Sequence, residues 1–179
     1  MTVTTIHANG RGTNNNCNGV LYVNPDEYKD TNGATEGPST TINSALHKTD
    51  YQRDTYAFDD ISIGSNVISS VKVYVKANGQ VGRPNLSQIL RAVVRTHSTE
   101  YAHATEQTVY DNSYVLFSWE WTLNNYTGVA WTQTEVNDAE FGFDTKNNAD
   151  AGVTYVDWLY VEVTHAPASS SSWAGTWGG

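Results

Sequence analysis

An all-β domain is what this sequence predicts: an antiparallel β-sandwich of jelly-roll type with an extended N-terminal segment and a C-terminal tail. Three observations lead there. Stretches after residue 53 alternate apolar and polar side chains with period two. The hydrophobic residues lean to Val, Tyr and Trp and Thr is abundant, all types that fit a pleated surface. The 14 glycines and frequent asparagines punctuate the chain with turn signals. No long amphipathic helical pattern intervenes, so strands following one another at turn spacing imply a sandwich, and a jelly roll within that class.

Taken in order, residues 1–50 are polar and broken. TIHANGRGTNNNCNG has no periodicity, VLYVNPDEY gives a short apolar piece before a turn at Asn24-Pro25-Asp26, and KDTNGATEGPSTT is another loop. The segment reads as an extended arm or long loops with one or two short strands, lying over the domain or over a partner, since a long structureless loop inside a compact domain is unusual. Residues 51–166 form the expected sandwich. YAFDDISI (56–63) is a strand that ends at Gly64-Ser65-Asn66. In VISSVKVYVKANG, Val71, Val73 and Val75 face one way and Lys72, Tyr74 and Lys76 the other, and Asn78-Gly79 is a hairpin signal. QILRAVVRT (88–96) sets Leu90, Ala92 and Val94 against Arg91 and Arg95.

HSTEYAHATEQT is then expected as a polar connection. SYVLFSWEWTL (113–123) puts Val115, Phe117, Trp119 and Trp121 on one face. In WTQTEVNDAEF, Thr132 or Thr134 caps a single helical turn, with Glu135 or Asp138 favourable near its start. EFGFDT (140–145) is a short strand, and VTYVDWLYVEVTH (153–165) is the longest. There Leu159, Val161 and Val163 alternate with Tyr160, Glu162 and Thr164; Val156 is out of phase, which predicts a bulge near Asp157. Residues 167–179 form a Ser/Gly/Trp tail.

At 179 residues the chain fits one domain and needs no covalent staple. A net charge of −9 with only ten Lys and Arg opposes a nucleic-acid partner. Cys17 is the single cysteine, so no internal disulfide forms, and a small loop residue is the reading for it. MTVTTIHANGRG lacks the basic start and apolar run of a signal peptide, and no stretch approaches the ~20 apolar residues of a membrane span. The expectation is a protein made in the cytoplasm that leaves, if it does, inside an assembled particle.

The search for catalytic chemistry comes back mostly negative. No G-x-S-x-G elbow, P-loop, H-E-x-x-H or C-x-x-C is present. His7, His47, His97, His103 and His165 stand in unrelated segments and read as solvated loop residues. Asp59-Asp60, and Asp144 with Asp150, offer oxygen ligands for a hard cation, but turn chemistry explains them as well. Glu120, Glu135, Glu140 and Glu162 are glycosidase-type carboxylates that spacing alone cannot gather into one cleft. No catalytic, metal or cofactor site is expected, and the chain reads as a non-enzyme. The aromatics are the other candidate: Trp158 and Tyr160 fall opposite the Leu159 face and form a possible stacking platform for a carbohydrate.

YTGVAWTQTEVNDAEFGFDTKNN followed by VTYVDWLYVEVTH resembles small β-sandwich structural proteins of tailed bacteriophages. RDTYAFDDISIGSNVISSVKVYVKA fits the same resemblance, which covers roughly residues 53 to 165. It implies a non-enzymatic virion component: capsid decoration or cement first, a tail, neck or fibre part second. It implies partners among other virion proteins, the major capsid protein foremost, with a homo-oligomer as a further option. It carries over no catalytic residue. Trp131, Thr132, Glu135, Val136, Asn137 and Gly142 match its motif and imply a local role, a short turn plugging one end of the sandwich. In this reading SSSSWAGTWGG, which cannot bury Trp173 and Trp177 by itself, is a partner-binding anchor on a flexible spacer. The alternative is a carbohydrate-binding module that adsorbs to surface glycans through Trp158 and Tyr160.

Overall fold

The computed structural model describes residues 1–15, 17, 50–79, 88–110, 114–147 and 154–168. Among these, nine strands and one short helix follow in the order β1 (Thr2–Asn15), β2 (Gln52–Phe58), β3 (Asn66–Gly79), β4 (Gln88–Thr96), β5 (Thr99–Ala102), β6 (Gln107–Val109), β7 (Val115–Trp121), α1 (Gln133–Asn137), β8 (Glu140–Asn147) and β9 (Thr154–Pro167). Every pairing is antiparallel.

The strands run β5-β4-β8-β2-β1-β9-β3-β7, with β6 also on β4. β1 joins two halves of this order. Its residues 2–7 pair with β9 and its residues 8–15 with β2, with a register shift between Ala8 and Gly10. From β2 onward the chain alternates between halves, staying in one only for the β4-β5-β6 run.

The alternation read from sequence sets the core. Val71, Val73, Val75, Leu90, Ala92, Val94, Leu159, Val161 and Val163 are all buried and belong to one hydrophobic cluster drawn from both halves. Burying a side chain of this kind is worth about 1.5–3 kcal/mol, so the cluster is the main source of stability. The register confirms the bulge: Lys76 lies opposite Trp158 and Ala77 opposite Val156, so Asp157 is the extra residue. Trp119 and Trp121 are buried as their phase predicts, whereas Val115 on the same phase, at the start of the edge strand β7, is exposed.

Several expectations are corrected. Within the segment expected as an arm or loops with short strands, Thr2–Asn15 is one long strand shared by both halves; residues 16 and 18–49 lie outside the described residues. β2 stops at Phe58 rather than running to Ile63. Asn78-Gly79 does not turn a hairpin, because β3 pairs with β7 and β9 while β4 lies in the other half. The connection after β4 contains a true hairpin, β4-β5, turned by His97-Ser98. Both residues have positive φ, 50° and 61°. That is the twist a two-residue hairpin favours, but it ordinarily takes Asn-Gly.

A left-handed residue other than glycine costs about 1–2 kcal/mol. Ser98→Gly is therefore expected to stabilise the protein by about 0.5–1 kcal/mol, after allowing for the entropy glycine adds to the unfolded chain. Thermal unfolding checks it: a midpoint up by about 2 °C is expected, and a drop would show that the Ser98 side chain contributes more than its backbone strain costs.

α1 forms where the cap was expected. Thr132 Oγ1 accepts from the Glu135 N–H at 3.2 Å, and Glu135 Oε2 accepts from the Thr132 N–H at 2.8 Å, a reciprocal capping box. Trp131 and Val136 are buried in the core cluster. Asn137 Oδ1 accepts from the Ile61 N–H at 2.9 Å, and Gln133 Oε1 from the Ile63 N–H at 2.9 Å. The turn thus fastens the segment between β2 and β3. No helix among the described residues is long and apolar enough to cross a membrane.

Candidate functional site

Each half has an outward face, and the two faces differ in chemistry. On the β9 half, cross-strand register sets Tyr74 opposite Tyr160, Lys76 opposite Trp158 and Lys72 opposite Glu162. Trp158 and Tyr160 are both half-buried on this face, as their phase predicts. The Tyr74 and Tyr160 rings stack at 4.6 Å with 5° between planes, and Tyr160 stacks on Trp158 at 5.2 Å and 21°. Lys72 Nζ lies 5.1 Å from the Tyr74 ring centre, and Lys76 Nζ 5.5 Å from that of Trp158 and 5.6 Å from that of Tyr114. The Tyr74 hydroxyl donates to Glu162 Oε2 at 2.9 Å. Burial first, and the Glu162 carboxylate second, push the Tyr74 phenol up to about 12, and the same causes push Tyr160 up to about 12. Both hydroxyls therefore stay protonated as donors at neutral pH.

This arrangement bears on what the rank can hold. A sugar stacks on a ring face, and here ring faces are turned toward one another or lie under an ammonium. The rank offers edges, hydroxyls and two lysines, more than open platforms. Sequence phase found Trp158 and Tyr160; the part of Tyr74 and the lysines depends on register, which phase does not carry. Trp173 and Trp177, the expected partner-binding residues, lie outside the described residues.

The β8 half carries an ion network outward. Asp144, fully buried, accepts from Arg53 Nε at 2.7 Å and Nη2 at 2.8 Å, and from Arg91 Nε at 3.0 Å and Nη2 at 2.9 Å. Arg53 also pairs with Glu100, and the Arg91 guanidinium lies 3.7 Å from the Tyr51 ring centre. Glu140 accepts from the Thr13 N–H at 2.7 Å, the Thr55 hydroxyl at 2.6 Å and Arg95 at 3.1 Å. Asp144 is thus occupied by two guanidiniums, and Asp150, its expected partner for a cation, lies outside the described residues. Asp59 accepts from Asn9 Nδ2 at 3.3 Å. Among the described residues no three His, Cys, Asp or Glu side chains gather as metal ligands do.

The four candidate carboxylates do not gather as one group, although two of them share a face. Glu120 and Glu162 flank Lys72, Glu140 holds the threonines, and Glu135 belongs to the cap and to His97. Two histidines depart from the loop expectation, His165 and His7, whereas His97 and His103 stand outside the strands as expected. His165 is a buried strand residue, its Nδ1 accepting from Asn66 Nδ2 at 2.8 Å and its Nε2 2.9 Å from Thr4 Oγ1, and His7 lies on β1. His103 meets Trp121 edge-on at 5.1 Å, and His47 is outside the described residues. Cys17 is buried, and burial first and Asp54 second push its thiol far up, which leaves it a poor nucleophile.

The acid limb of stability follows from these carboxylates. For Glu135 and Glu140 burial pushes upward, but hydrogen bonds from Thr132 and His97, and from Thr13 and Thr55, outweigh it and hold both below the usual 4.5. Glu100 is lowered too, by Asn14 first and then by Arg53 against some burial. A carboxyl whose folded value is depressed adds stability above its unfolded value and loses it as pH falls through the folded one. The melting midpoint is expected to decline once pH drops below about 4.5, and to decline less steeply in Glu140→Gln. A midpoint unchanged down to pH 3 would overturn this.

Comparison with models of known protein families gives no match, and no curated protein matches the chain.

Proposed function

We propose that this chain is a non-enzymatic structural protein of a bacteriophage virion, decorating or cementing the capsid in the first instance and forming a tail, neck or fibre part in the second. The observation that carries the reading is the strand order. One half runs β1-β9-β3-β7 and the other β2-β8-β4-β5, with the chain crossing from half to half. We read this as two facing sheets wound as a jelly roll, an architecture used by viral capsid and lectin domains. The resemblance to phage β-sandwich proteins adds to it, and of its motif residues Trp131, Thr132, Glu135, Val136 and Asn137 hold the end of the fold around α1, while Gly142 lies within β8. Decoration works by bridging neighbouring subunits, the major capsid protein first among them, so that the shell gains buried area.

The test is the copy number of this chain in purified particles, by quantitative mass spectrometry against the major shell protein. Hundreds of copies support a lattice decoration, and a few dozen or fewer a vertex, neck, tail or fibre. Complete absence from intact particles overturns the virion reading.

The glycan reading keeps one specific observation in its favour, the run of Tyr74, Tyr160 and Trp158 on one outward face. If it holds, Trp158→Ala abolishes retention on immobilised polysaccharide while the melting midpoint stays within a few degrees. It comes second because most of the ring faces already have neighbours.

A further inference from the structure

The turns around α1 form one surface whose chemistry differs from both outward faces. The segment between β7 and α1 closes on itself: the Asn124 N–H donates to Val129 O at 2.8 Å, the Gly128 N–H to Asn124 O at 2.8 Å, and the Tyr126 N–H to Asn124 Oδ1 at 2.9 Å. Asn124 is fully buried and its Nδ2 donates to Thr96 Oγ1 at 3.2 Å, which ties the loop to the end of β4. Gly128 takes φ +71°, a conformation that L side chains rarely adopt.

The loop is therefore well fixed, yet it presents its large apolar side chains to solvent. Leu123 is 49% exposed, Tyr126 54% and Val129 59%. His97, in the strained left-handed turn, stacks on Tyr126 at 4.4 Å and 15°, and its Nε2 lies 3.1 Å from Glu135 Oε1. Local strain of this kind is kept where the surroundings impose it, and it marks sites of function more often than chance.

The charge around this knuckle is one-sided. Residues 59–65, 97–98 and 122–139 are joined by the bonds of Asn124, Asn137, Gln133 and His97. They hold Asp59, Asp60, Glu135 and Asp138 and no lysine or arginine. Among the described residues both outward faces, in contrast, carry both signs: Lys72 and Lys76 with Glu120 and Glu162, and Arg53, Arg91, Arg95 and Lys146 with Glu100, Glu106, Glu140 and Asp144. A rigid apolar knuckle with an acidic surround suits a recess with a basic surround. It does not suit a second copy of itself, whose acidic residues would meet like charge.

We propose that this end of the molecule, with Leu123, Tyr126 and Val129 as anchors, docks into an apolar recess ringed by lysine or arginine on a different protein of the particle. The inference rests on the virion reading and names the contact surface within it. Because the loop is held by its own hydrogen bonds before binding, little ordering entropy is lost on docking.

The test places the photoreactive residue p-benzoylphenylalanine at Val129 in the full chain, assembles particles, irradiates them and sequences the adducts. The expected adduct joins position 129 to a peptide of another virion protein, within a region bearing Lys or Arg. Leu123→Ser with Tyr126→Ser should cut its yield by about tenfold, while the soluble protein's melting midpoint stays within about 2 °C of the parent. An adduct to a second copy of this chain, no adduct, or a yield indifferent to the two substitutions overturns the inference while the virion reading stands. Absence of the chain from the particles, seen before irradiation, overturns both.

Discussion

Gly142→Ala is expected to cost at least about 3 kcal/mol and to leave most of the expressed chain insoluble. Gly142 sits mid-strand in β8, opposite Thr55 of β2 and Val93 of β4. A methyl group there would run into the Asp54 carbonyl oxygen, and would lie 2.8 Å from Thr55 Cα and 2.9 Å from Asp54 C. All three obstacles are backbone, so no side chain can swing away. Relief requires β2 to move off β8, which breaks the ladder from Gln52 to Ala57 and disturbs Tyr56, a fully buried core residue. Gly128→Ala is the control. It has open space around the added methyl but a left-handed φ, so its cost is conformational and about 1 kcal/mol. Urea unfolding of both variants separates the two causes. A loss below about 1 kcal/mol at Gly142 would show that β2 and β8 have more play than their spacing implies.

What the sequence discloses divides along physical lines. β3, β4 and β9 were legible because one side of each faces the core and the other faces water, and that contrast is written in period two. The bulge at Asp157 was legible because it shifts the phase of Val156. The capped turn was legible because N-cap residues are local signals, although sequence left Thr132 and Thr134 both open and the reciprocal capping box with Glu135 is what selects Thr132. β1 was not: its inward positions include Ile6 and Ala8, but Gly10 and Gly12 follow, and its pairing is carried by backbone bonds that any residue can make. The β4-β5 hairpin hid behind His97-Ser98, which lack the usual turn signature. Asn78-Gly79 misled for the opposite reason, since the chain there leaves for the other half of the sheet order. At the candidate face, phase assigned Trp158 and Tyr160 to the outside. It did not reveal that Tyr74 closes one side of Tyr160, because cross-strand register is fixed by the whole fold. The knuckle of Leu123, Tyr126 and Val129 has no period at all; its meaning arises from exposure, which only a folded chain possesses.

Asp144→Asn is expected to cost about 3–5 kcal/mol, nearly as much as the glycine change but for an electrostatic reason. The carboxylate is fully buried, while the Arg53 and Arg91 side chains keep only 21% and 22% of their surface in solvent. Both guanidiniums point two donors at it. Asparagine has the same outline but no charge, and its amide N–H groups would face donors. Two cations would then remain half-buried, Arg53 still paired with Glu100 and Arg91 left with only the longer-range attraction of Glu106. A lower melting midpoint, by about 10 °C, is the expected reading. A double-mutant cycle tests the cause: Arg91→Ala should cost clearly less in the Asp144→Asn background than in the parent, by about 1 kcal/mol or more. Equal costs in the two backgrounds would mean that the pair does not act as a unit. Arg53 stands on β2, Asp144 on β8 and Arg91 on β4, so the network clamps three neighbouring strands across their outward side. A face so occupied with its own charges has few groups left to recognise anything else. That is a physical reason to look for contacts at the β9 half and the α1 end, where donors, aromatic edges and exposed apolar side chains are still on offer.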